Sequence, residues 1–234
     1  MKNKVALPFM IVGLVSVWTL VGDTQTQERP TVQIPEPGVP QIMTMEGRFV
    51  RAAYNNEGYV ILGYQPANRS IGEDWVLLEI GATVLAGVPD YTLTRAALSL
   101  DTPDGKTIPL ATTMEYRGAN LGALENRAKV QRNSINYFPP SASRACRIGF
   151  FSDLASRARA YDQVELSSQR ACIGRVYFHV PGGITYGQYW LNVKFQKSLV
   201  RVPFRILTAE EEKVLSKNYK DISKQVKDAF RKKG

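Results

Sequence analysis

The sequence predicts a mainly β protein: an antiparallel β-sandwich with one helical insertion and a C-terminal α-helix, preceded by an apolar N-terminal helix. Three observations predict it. Nine short segments of alternating or β-branched character lie between Phe49 and Ile206. Turn signals such as Thr102-Pro103-Asp104-Gly105 and Pro181-Gly182-Gly183 separate them. A charge-free run at the start and a long amphipathic stripe at the end stand outside this pattern. The hydrophobic share of 44% is ordinary for a globular chain, which excludes wholesale disorder.

Residues 1–22 open the chain with Lys2 and Lys4, then run from Val5 to Gly22 without a charge, and Asp23 and Glu28 follow. Basic residues before an apolar run and acidic ones after it are the order of a secretory signal peptide or a signal anchor. Eighteen residues give about 27 Å of helix, at the lower limit for a bilayer core, so cleavage and retention both stay open. A buried helix of a cytosolic protein is the plainer alternative, and the flanking charges oppose it. The expected location is therefore extracytoplasmic, periplasmic or secreted, with residues 5–22 as the membrane anchor if they are retained.

Residues 23–47 contain Pro30, Pro35, Pro37 and Pro40. Such density favours polyproline II, and the segment reads as a linker; a proline-rich ligand for a partner is the alternative. Residues 48–207 are long enough for one domain with its own core. Its expected strands are Phe49–Tyr54, Tyr59–Tyr64, Trp75–Leu85, Leu93–Leu100, Thr107–Leu110, Arg147–Phe151, Cys172–Val180, Tyr189–Phe195 and Val200–Ile206. Between them, Met114, Leu121, Leu124 and Ala128 share helical spacing within Thr113–Val130, although Gly118 and Gly122 each cost such a helix about 1 kcal/mol. Ser152–Ala160 suggests a further short helical turn, capped by Ser152 or Asp153.

Residues 208–234 begin with a capping box, Thr208-Ala209-Glu210-Glu211, and close on Arg231, Lys232 and Lys233, which suits the helix dipole at both ends. Leu215, Tyr219, Ile222, Val226 and Phe230 fall on one stripe. The stripe either packs on the parent domain or forms a helix interface with a partner or membrane.

Strand alternation sorts side chains into faces. Cys172, Val176, Phe178 and Val180 share one side of their strand, and Ile173, Arg175, Tyr177 and His179 the other. If this strand and the next two form a meander, the polar side gathers Arg175, Tyr177, His179, Trp190, Lys194, Arg201 and Arg205. Residues 117–205 hold 14 Lys or Arg against 4 Asp or Glu, whereas the whole chain is only +9, so the positive charge is local. Eleven of the fourteen are arginines, whose planar fork suits carboxylates and phosphates. The seven residues are the expected binding face for an anionic partner or ligand; a solvated outer sheet face is the alternative.

Cys146 and Cys172 are the only cysteines. An even count in an exported chain suggests one disulfide between strands, with two buried thiols as the alternative. For catalysis the sequence offers little. His179 is the single histidine, and no nucleophile elbow, zincin or phosphate-loop motif occurs. No catalytic residue, metal site or cofactor is expected.

The stretch Tyr64–Leu110, with Ala67-Asn68-Arg69-Ser70, the strand Trp75–Ile80, Leu98-Ser99-Leu100-Asp101 and Asp104-Gly105-Lys106, resembles bacterial extracytoplasmic immunoglobulin-like β-sandwich domains. The resemblance implies that fold and compartment, and carries over no site residues. The expected function is a non-catalytic accessory or structural subunit of a cell-envelope or membrane assembly, with a protein partner there. The alternative is a binding module for an anionic polysaccharide or lipid head group. Nucleic acid is not an expected partner.

Overall fold

A computed structural model describes residues 41–152 and 159–231. The expected apolar segment 5–22 and most of the 23–47 linker lie outside these residues, as does most of the helical turn expected at 152–160. Among the described residues no helix is long and apolar enough to cross a membrane.

The chain begins with β1 (Ile42–Gly47), β2 (Val50–Tyr54) and β3 (Gly58–Gly63). A single turn of helix, α1 (Gln65–Asn68), leads to β4 (Trp75–Val84). Next come β5 (Tyr91–Thr94), a 3-10 turn at Arg95–Ala97, β6 (Leu98–Asp101) and β7 (Thr107–Pro109). Two helices follow, α2 (Thr113–Gly118) and α3 (Gly122–Val130). The strands β8 (Arg144–Ile148), β9 (Gln163–Leu166), β10 (Arg170–His179), β11 (Gly187–Lys194) and β12 (Leu199–Ile206) then precede the long helix α4 (Ala209–Arg231).

The strands form a mainly β architecture of three sheets. Six strands lie in the order β1-β2-β3-β4-β10-β8, four in the order β12-β11-β6-β7, and β5 pairs with β9 alone. Every neighbour is antiparallel except β8 and β10, which run parallel, so the largest sheet is mixed. The two larger sheets bury their apolar sides in one core: Val60, Leu62, Leu78 and Ile80 from one meet Leu191, Val193, Val202 and Phe204 from the other. Alternation holds on β11 and β12, where Tyr189, Leu191 and Val193 lie opposite Phe204, Val202 and Val200.

Several elements depart from the sequence expectation. β1 occupies residues assigned to the linker. The prolines end at Pro40, and behind them Met43 and Met45 alternate as a strand whose buried side is covered by α4. The expected strand Leu93–Leu100 is two strands in two sheets, broken where Arg95 turns inward to bond the carbonyls of Phe150 and Ala111. The single helical insertion is two helices. Thr112 caps α2 with a reciprocal Glu115 capping box, and the chain leaves the helix after Gly118.

Helix α4 forms as expected. Thr208 Oγ1 accepts from the Glu211 amide at 3.2 Å, and the Glu211 carboxylate accepts from the Thr208 amide at 3.0 Å. Leu215 and Val226 are buried against Met43 and Met45, with Tyr219 and Ile222 beside them. Of the two readings of this stripe, the described residues follow the first: it packs on the parent domain. The side chain of Phe230 lies outside the description. Glu211 and Glu212 at the helix start also hold Arg205 and Arg69, at 2.8 and 2.5 Å.

Candidate functional site

The expected meander of three strands does not form. β10 lies inside the six-stranded sheet, while β11 and β12 belong to the four-stranded one. The seven residues of the expected binding face are therefore divided between two sheets. Most of those on β11 and β12 are tied internally. Arg201 stacks over Trp190 at 4.9 Å and binds Asp101 at 3.0 Å, and Arg205 is held by Glu211. Hydrogen bonds from Asn192, Thr107 and Arg201 outweigh burial and hold the Asp101 carboxyl below its ordinary value. Lys194 is exposed, and its carbonyl accepts from the Tyr91 hydroxyl at 3.0 Å. His179, at the end of β10, stacks on Trp75 at 5.0 Å.

Arg175 and Tyr177 enter a different setting. The side of β10 expected to face solvent is covered by α2 and α3, and Tyr177 is only 3% exposed. Its ring meets those of Tyr116 and Phe151 at 4.9 and 5.0 Å. Beside this cluster opens a cleft of about 420 Å³, bounded by β8, β10, α3 and the segment after α3. Lys129, Arg132, Arg147 and Arg175 line it together with Glu79 and Glu125.

Each group reaches the cleft for a local reason. Arg175 stands directly opposite Glu79 across the β10–β4 ladder. Its guanidinium lies 3.8 Å from the Glu79 carboxylate and 3.4 Å from the Ala128 carbonyl, one of the last carbonyls of α3, where a cation complements the helix dipole. Glu79 also accepts from the Asn133 amide at 2.8 Å, which fixes the segment carrying Arg132. Burial raises the Glu79 carboxyl above its ordinary value, with Asn133 and Arg175 opposing.

Glu125 lies 2.8 Å from the Tyr116 hydroxyl and 3.4 Å from that of Tyr177. Burial first, and then this carboxylate, raise both phenols, so each is a neutral hydrogen-bond donor at neutral pH. Arg147 comes from β8, which pairs with β10 in parallel register, Cys172 opposite Cys146 and Ile173 opposite Arg147. The cysteines are bonded, with Cα atoms 4.1 Å apart. Gly174 is required beside them: a Cβ there would stand 2.1 Å from the Ile148 carbonyl oxygen, and backbone cannot yield cheaply. A short parallel edge strand pairs somewhat less stably per residue than an antiparallel one, and the disulfide fastens this one, which carries Arg147.

A larger groove of about 920 Å³ lies between the 102–106 turn and residues 180–185. Its Lys106 is paired with Asp104 at 2.7 Å, so charge does not converge there as it does in the cleft. Among the described residues no group of three or more metal-ligating side chains is assembled.

Comparison with known proteins adds no relative: no protein-family model matches the chain, and no curated protein or solved structure shows significant similarity to it.

Sequence reasoning found Arg175 and Tyr177 and missed Lys129, Arg132, Arg147, Glu79 and Glu125. The local arginine excess was the available signal. The parallel crossover that brings β8 beside β10 has no signature in the sequence.

Proposed function

We propose that the chain is a non-catalytic, extracytoplasmic β domain of a cell-envelope assembly that binds the anionic group of a polysaccharide or lipid head group in the Arg132–Arg147–Arg175 cleft. The observation that carries this reading is the convergence, among the described residues, of four cations from three parts of the chain around one concave space with two carboxylates. Arginine there suits a compact oxyanion, because its fork offers paired donors. The disulfide fits an oxidising compartment. The N-terminal order of Lys2 and Lys4 before residues 5–22 supports an apolar helix acting as signal or anchor.

The two sheets around one core support an immunoglobulin-like relationship; the disulfide within one sheet, where antibody domains bridge their two sheets, speaks against a close one. A protein partner in the same assembly is the second reading. It loses the surface the sequence offered for it, since the apolar stripe of α4 is occupied by β1.

Titration calorimetry with glycerol phosphate and with glycerol tests the cleft. Glycerol phosphate should bind and glycerol should not. Arg132→Gln with Arg147→Gln should weaken binding about tenfold or more, since charge-assisted hydrogen bonds contribute about 1.5–3 kcal/mol each. Unchanged affinity in the double variant would overturn the assignment.

A further inference from the structure

Helix α4 carries a second charged surface that the cleft does not use. With about 100° of rotation per residue, Lys213, Lys217, Lys220, Lys224 and Lys227 fall within about 40° of one line along the helix. All five are exposed. Leu215, Ile222 and Val226 lie on the opposite side, held against Met43 and Met45. The helix is thus fixed by one side and presents a row of lysines on the other, about 21 Å long. Asp221 and Asp228 stand at one flank, about 60–80° from that line, and leave the row itself free of acidic residues.

We propose that this row rests on an anionic membrane surface. A straight line of charges on a rigid helix is coplanar, so a flat surface can meet all five ammoniums at once, whereas a compact anion meets one or two. Lysine also differs from the arginines of the cleft: its strongly hydrated point charge gives no planar recognition, and it favours diffuse attraction to a charged surface. The placement of the chain agrees. β1 is the first described strand after the proline-rich segment, and it lies directly under α4, with the Tyr219 hydroxyl 3.2 Å and the Ser223 hydroxyl 3.0 Å from the Met45 carbonyl. β1 therefore covers only the side of α4 away from the lysines, and the row stays open on the other. The inference rests on the extracytoplasmic, tethered reading given above for its setting, and on α4 alone for its chemistry.

The full chain, placed with vesicles of phosphatidylcholine or of an equal mixture with phosphatidylglycerol, is acetylated with an amine-reactive reagent, and each lysine is read by mass spectrometry. Lys213, Lys217, Lys220, Lys224 and Lys227 should react severalfold more slowly on the anionic vesicles, the difference should vanish in high salt, and Lys194 and Lys197 should not change. Equal reactivity of the row on both vesicles overturns the proposal, as does protection by soluble polyphosphate without protection by anionic vesicles. Flotation separates the two readings. A chain that fails to float with neutral vesicles refutes the tether, while its flotation with anionic ones still decides the lysine row. In that case Lys217→Gln, Lys220→Gln and Lys224→Gln together should weaken partition about a hundredfold, and an unchanged partition refutes the row.

Discussion

Arg201 and Arg205 on β12 and Arg132 and Arg147 at the cleft carry the same group and occupy different physical situations. The first two lie beside acids of neighbouring elements, Asp101 on β6 and Glu211 on α4, and each closes a contact between parts of the fold. The second two are exposed and line a concave space together with Glu125 and Tyr177, which are hydrogen-bonded to each other and, through Glu125, to Tyr116 behind them. An arginine's neighbours, and not the local count of arginines, decide whether it joins the fold or stays open to solvent. The cleft also depends on a crosslink, whereas the β12 pairs sit in an antiparallel ladder eight residues long.

Removing the crosslink is the largest test of that contrast. Cys146→Ala with Cys172→Ala opens a loop of 26 positions and should lower stability by about 3 kcal/mol in the chain-entropy model. The melting temperature should fall by several degrees and binding of glycerol phosphate should weaken, because β8 no longer holds Arg147 in place. A variant that melts lower while binding as tightly as the parent would show that the crosslink serves the fold alone.

A smaller effect separates the two arginine pairs. Arg201→Gln with Arg205→Gln takes the cationic partner from Asp101 and Glu211, which keep their other hydrogen bonds, at a cost of about 1 kcal/mol for these half-exposed pairs. Affinity for glycerol phosphate should not change. Chemical denaturation and calorimetry on the same sample read both quantities, and a loss of affinity with full stability would return the binding face to β12.

The same contrast explains what the sequence disclosed. Helix α4 was legible because its determinants are local: the Thr208 box, the acidic first turn and a stripe at helical spacing all lie within one segment. The alternation of β11 and β12 was legible for the same reason. The disulfide followed from cysteine count and compartment, and the structure forms it. β1 was hidden because Met43 and Met45 are buried by a helix some 170 positions later, which nothing beside them announces. The expected binding face failed at the step from strand to sheet. Each strand's polar side was identified, but which sheet β10 joins is decided by its pairing with β4 and β8, both distant in sequence.

The smallest test concerns the inner wall of the cleft. Burial and the nearby Glu125 carboxylate raise the Tyr177 phenol above its ordinary value of 10.0. Below that value the phenol is neutral in both folded and unfolded chains, and its contribution to stability is complete. Above it the unfolded chain loses the proton first and binds fewer protons than the native one, so stability falls as pH rises. Tyr177→Phe removes this step and also one hydrogen bond of 3.4 Å, at a cost of about 1 kcal/mol or less at neutral pH. Urea unfolding measured from neutral pH to beyond the ordinary phenol value should give a shallower alkaline decline for the variant, by at most about 1.4 kcal/mol per pH unit. Parallel declines would mean that Tyr177 ionises as readily in the folded chain as in the unfolded one. The inner wall would then be open to water, and the arginines would stand over a solvated surface like the outer side of β12.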